Sequence, residues 1–142
     1  MNIEDYFNTL GKISKKFEID LLVLFGSFAT GDNNQNSDID LAYFSKKKIN
    51  DKDFVYEIIK QTNLDNIDIV EIKNTNSVEL NWNIFKNGIK IYQSTPSLFD
   101  NLLTQSFINY VDFKKYLEVR DKILDNKIDG INTDNYTKKI KL

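Results

Sequence analysis

Apolar residues recur at steps of three and four along the opening segment, at Ile3, Tyr6, Phe7, Leu10, Ile13 and Phe17. That spacing predicts an amphipathic helix with one buried stripe. The run LLVLF at Leu21–Phe25 is too unbroken for a half-exposed strand and reads as a buried one, closed by Gly26. After the polar, turn-prone stretch DNNQNS comes DIDLAYF at 38–44. Its alternation sends Asp38, Asp40, Ala42 and Phe44 to one side and Ile39, Leu41 and Tyr43 to the other. Asn50, with Asp53 three residues on, predicts an N-cap to a helix whose stripe is Phe54, Val55, Ile58 and Ile59.

IDIVEI at 67–72 reads as a third strand. Asn76 with Glu79 resembles a capping box ahead of a short helix anchored by Val78, Trp82 and Phe85 and stopped at Asn87 and Gly88. IKIY at 89–92 is a fourth strand. Beyond Pro96, Phe99, Leu102, Leu103, Phe107, Tyr110, Phe113, Leu117 and Leu124 mark one long helix or two shorter ones. The aromatic series Phe107, Tyr110, Phe113 and Tyr116 reads first as core and second as a partner surface. The last dozen residues lose the pattern and predict a loosely ordered tail. The expected fold is α/β: a small mixed sheet of about four strands, helices on one face, the acids on the other, and a C-terminal helical arm.

Composition narrows the chemistry. The 142 residues carry 19 Lys plus Arg against 21 Asp plus Glu, a formal charge of −2, with 41% hydrophobic residues and neither Cys nor His. Thiolate or imidazole zinc sites, Cys nucleophiles, Ser-His pairs and disulfides are therefore excluded. A bound metal must take oxygen ligands, and carboxylates are the first candidates for acid or base work. No stretch approaches the roughly 20 apolar residues of a membrane span. The acidic start MNIEDYFNTL is unlike a signal peptide, so a cytoplasmic setting is expected. The slightly acidic balance speaks against direct nucleic-acid binding.

The informative stretch is GSFATGDNNQNSDID, residues 26–40, with a further carboxylate at Asp68. Asp38 and Asp40, two apart on one strand, leave the same face about 6 to 7 Å apart at their Cα atoms. Carboxylates that close repel unless a cation sits between them, and two Mg²⁺ ions bridged to phosphate oxygens would fit. Three carboxylates and a nucleoside triphosphate bring about −7 into one cleft, which two divalent cations cut to about −3. Gly26 allows close backbone approach, and Ser27 can cap the next turn and offer its hydroxyl to phosphate. Asp68 on a neighbouring strand could bind one metal and accept the proton of an attacking hydroxyl. The reaction implied is nucleotidyl transfer. A calcium loop over Asp32, Asn34, Asn36, Asp38 and Asp40 fails because Ser37 stands at the required glycine and Tyr43 at the bidentate glutamate.

GSFATG, then SDIDL, then IDIV about 30 residues later resembles the polymerase-beta-like nucleotidyltransferases in their short, minimal form. The resemblance spans 1–95, leaving 96–127 as the helical arm of the same domain and 128–142 as a tail. It implies that Asp38, Asp40 and Asp68 are the catalytic, metal-bridging acids, and that Gly26, Ser27 and Ser37 belong to the nucleotide-binding part. It implies Mg²⁺ and ATP as cofactor and co-substrate. The short members look like antitoxins of helical HEPN ribonuclease toxins, which implies transfer of AMP to a tyrosine of such a toxin. Two other readings are a weak or inactive relative that neutralises by binding, and an aminoglycoside-type small-molecule enzyme. Thr30 departs from the pattern, standing where many members carry a basic residue.

Overall fold

The computed structural model describes residues 1–130. They fall into two units, residues 1–107 and a second beginning at Ile108. In the first, the elements run α1 (Ile3–Lys16), β1 (Leu21–Phe25), α2 (Ser27–Thr30), β2 (Ile39–Phe44), α3 (Asp51–Thr62), β3 (Ile67–Glu71), α4 (Val78–Lys86) and β4 (Ile89–Gln93). The last element, α5 (Leu98–Gly130), opens in the first unit, and its continuation makes up the described part of the second. The expected tail lies mostly at 131–142, outside the described residues.

The strands form one mixed sheet in the order β3-β2-β1-β4. β1 pairs antiparallel with β2 and β4, and β2 pairs parallel with β3 across the α3 crossover. The period of two sorts the core into layers. Leu22, Leu24, Leu41 and Tyr43 share one face with α1 and α3, packing against Leu10, Ile13, Phe54 and Ile58. Leu21, Val23 and Ala42 share the other with Ile84 and Phe85 of α4 and with Leu98, Phe99, Leu102 and Leu103 of α5. Helices thus cover both faces, where the sequence reading placed them on one. The physical reason is β1 itself: its first four residues are all buried, and a strand without a polar side needs cover on both. The acids do lie on the face opposite α1 and α3, but they share it with α4.

Local signals explain most boundaries. Asn50 Oδ1 accepts the Asp53 N–H at 3.1 Å and starts α3. At α4 the cap is Ser77, whose Oγ accepts the Leu80 N–H at 3.1 Å. The expected cap, Asn76, instead donates its side-chain amide to the Glu71 carbonyl at 2.7 Å and to Asn81 Oδ1 at 3.1 Å. Asn76 therefore ties the end of β3 to α4, the N-cap moves on by one residue, and with Leu80 three residues after it the expected capping box does not form. Gly88 lets the chain leave α4 against β1: a Cβ there would overlap the Ile84 carbonyl and lie 2.7 Å from Val23 Cγ1. From Ile108 onward α5 is largely exposed, with Tyr116 at 61% and Ile128 at 68%. The aromatic series is correspondingly half-buried or exposed and forms no core. No helix among the described residues is long and apolar enough to cross a membrane.

Candidate functional site

The site forms where β1 ends and β2 begins. Gly26 leaves β1 with φ 72° and ψ −155°, a backbone region that only glycine occupies without strain. It is the N-cap of the single turn α2, with no side-chain cap bond, so Ser27 is the first residue of that turn and not its cap as expected. Phe25 pairs with Asp40 across the antiparallel ladder, which brings the Gly26 backbone against the aspartate. A Cβ on Gly26 would overlap Asp40 Oδ2 and lie 3.0 Å from Asp40 Cγ.

Asp40 is also the parallel partner of Asp68 on β3. Neighbouring strands run about 4.8 Å apart, so these two carboxylates leave adjacent strands side by side. Asp38, one residue before β2, has the same parity as Asp40. Electrostatics registers the convergence. Burial raises the Asp40 carboxyl above its ordinary range, and the charges of Asp68 and then Asp38 push it further the same way. Asp38 and Asp68 are themselves exposed.

The connecting loop is internally tied. The Ser27 carbonyl accepts the Asp32 N–H at 3.0 Å, and the Thr30 hydroxyl donates to Asp32 Oδ2 at 3.0 Å. Ser37 Oγ accepts the Asn34 N–H at 2.8 Å, so its hydroxyl closes the 34–37 turn. On the far side of the acids, Asn66 has φ 54°, and its carbonyl accepts the Ile39 N–H at 2.8 Å. Sequence reasoning passed over Asn66. Its only signal was a second asparagine three residues after the one that ends α3.

These residues offer a cation oxygen donors alone, which suits a hard ion such as Mg²⁺. The like-charge stress on Asp40 is what such an ion would relieve. The fit is one of donor chemistry and position. Among the described residues, no three acidic side chains are already gathered closely enough to hold a metal ion. Two shallow grooves lie elsewhere. One, of about 350 Å³, is lined by Val55, Tyr56, Ile59 and Ile69; the other, of about 410 Å³, by Phe7, Lys12, Lys15 and Tyr92. Neither contains a residue of the acidic site.

The sequence profile described as "Polymerase beta, Nucleotidyltransferase" matches residues 8–97. No curated protein matches the chain. Among solved structures the fold is similar to a chain of a toxin–antitoxin crystal structure with AMP-PNP, at TM-score 0.65 and 18% identity, covering 89% of this chain and 99% of that one. It is also similar to a chain in the complex of a tri-AMPylated Shewanella oneidensis HEPN toxin with MNT antitoxin, at TM-score 0.62, 16% identity and 89% and 99% coverage. A chain of the toxin–antitoxin MntA-HepT gives TM-score 0.62 at 18% identity, with 88% and 98% coverage.

Proposed function

The chain belongs to the polymerase beta nucleotidyltransferase family, and from that premise we propose that it is an antitoxin that transfers AMP from ATP to a tyrosine hydroxyl of a HEPN-type toxin. The observation that carries this reading is the juxtaposition of Gly26, Asp40 and Asp68: the turn suited to a triphosphate abuts one acid, and that acid pairs in register with another. The likeness to folds solved with AMP-PNP and with an AMPylated toxin supports the choice of nucleotide and partner.

In this reading Asp38, Asp40 and Asp68 hold two Mg²⁺ ions, which when bound neutralise the phosphates and polarise the reacting phosphorus. The Gly26 and Ser27 backbone faces the triphosphate and orients its leaving end. The tyrosine oxygen forms a bond to the α-phosphorus while the bond to the bridging oxygen of the β-phosphate breaks, releasing pyrophosphate. Asp68, the exposed acid on the edge strand, accepts the phenolic proton.

Purified protein, ATP, Mg²⁺ and the partner toxin are expected to give toxin heavier by whole AMP units, mapped to tyrosine by fragmentation mass spectrometry. Asp38→Asn or Asp68→Asn should abolish the increment while leaving the fold intact. Increments on the toxin that are as large with Asp38→Asn as with the native protein would sink the assignment. One observation favours a second reading, neutralisation by binding alone. Thr30 stands where many members of the resembled family carry a basic residue, and its hydroxyl is held by Asp32. A double Asp38→Asn, Asp40→Asn protein that still silences the toxin's ribonuclease activity in vitro would select that reading.

A further inference from the structure

We propose that Asn66 is a positioning residue for the transfer site: its left-handed backbone carries the hydrogen bond that sets Asp68 against Asp38 and Asp40. The inference deepens the proposed function and rests on it for its consequence, but not for its geometry.

Asp68 is carried by β3, which has a single neighbour, β2. The register of that one ladder fixes where the carboxylate sits, since slipping by one residue sends it to the other face. The contact ahead of the ladder is the Ile39 N–H donating to the Asn66 carbonyl at 2.8 Å. Ile39 lies between Asp38 and Asp40, and Asn66 lies two residues before Asp68. One hydrogen bond therefore joins the two acidic segments at the site itself, ahead of the Ile39–Ile67 and Asp40–Asp68 pairs.

Asn66 takes φ 54°, so its backbone sets the angle at which the chain arriving from α3 meets the start of β3 and this carbonyl. Asparagine tolerates that region, and other non-glycine residues seldom do. Asn66 is exposed, and its side chain is not what the geometry uses. The requirement falls on the backbone, so glycine should substitute and a β-branched residue should not. An edge strand yields locally, so strain at residue 66 displaces the start of β3 rather than unfolding the sheet.

The test compares Asn66→Val with Asn66→Gly in the full chain. Amide hydrogen exchange of Ile39 is expected to quicken about tenfold in Asn66→Val, with β1 amides unchanged, and to stay near the native rate in Asn66→Gly. In AMP transfer, kcat should fall roughly tenfold to a hundredfold in Asn66→Val at an unchanged KM for ATP, because Gly26 and Ser27 are untouched. Asn66→Gly should restore it. Unchanged Ile39 exchange in Asn66→Val, or an equal loss in Asn66→Gly, overturns the proposal. So does a native kcat in Asn66→Val. A native protein inactive toward every toxin tested would instead remove the proposed function, and the exchange comparison alone would then decide the role of Asn66.

Discussion

Gly26→Ala is the substitution that interrogates the site most directly. Two effects converge on it. With φ 72° and ψ −155°, residue 26 occupies a conformation that costs an alanine about 1–3 kcal/mol. The added Cβ would also overlap Asp40 Oδ2, with Asp40 Cγ at 3.0 Å and Asp40 Cβ at 3.2 Å. The carboxylate can rotate away from the first contact, but the last leaves the aspartate little room, so its side chain must leave its present position. The expected outcome is a melting temperature lower by roughly 3–9 °C, together with a transfer rate down on the order of a hundredfold. Both are measured on one preparation, by thermal unfolding and by toxin mass shift below the melting point. Gly11→Ala is the control. Gly11 sits inside α1, where a Cβ would meet only Tyr92 Cδ2 at an ordinary 3.8 Å. Alanine there should stabilise by about 0.5–1 kcal/mol and leave transfer unchanged. If Gly26→Ala transfers AMP at the native rate while folded, Asp40 is not where the reaction needs it, and the argument fails.

Three further outcomes are expected. The folded state raises the carboxyl pKa of Asp40, so its contribution to stability is full below the unfolded value and is lost as pH rises through the folded one. At neutral pH without metal, Asp40→Asn should therefore raise the melting temperature by about 1–3 °C, the size of a solvent-screened charge relief, while abolishing transfer. Tyr43 donates its hydroxyl to Asp51, and burial followed by that bond pushes its pKa well above the usual phenol value. The hydroxyl thus keeps its proton where a free phenol would begin to lose it, and Tyr43→Phe should cost about 1–2 kcal/mol by denaturant titration between about pH 6 and 9. Ser77→Ala should cost about 1 kcal/mol by the same measurement, with Asn76 left in its contacts.

Most strands and helices of the first unit were legible through their own periods, and β1 read as buried because it has no polar position, although helices were expected on one face only and the single turn α2 carried no period of its own. The shared face of Asp38 and Asp40 was legible through parity, by arithmetic alone. What sequence could not supply was pairing. Nothing in the residues' own pattern dictates that β3 lies parallel beside β2, so the meeting of Asp68 with Asp40 was expected from the family resemblance, and its register came only with the ladder. The cap of α4 was misplaced by one residue because Asn76 and Ser77 are both good caps, and a long-range bond from Asn76 to Glu71 decides between them. The aromatic run on α5 misled because a spacing of three marks a helical face without saying what, if anything, covers it.

The unequal footing of the acids has a practical corollary. Asp40 stands on a strand clamped between two partners, whereas Asp68 rides a margin held from one side only. Margins fray first on warming. Catalytic power should consequently fade on a slow temperature ramp before circular dichroism registers melting, and return on cooling, so that heat acts as a reversible brake on the proposed enzyme.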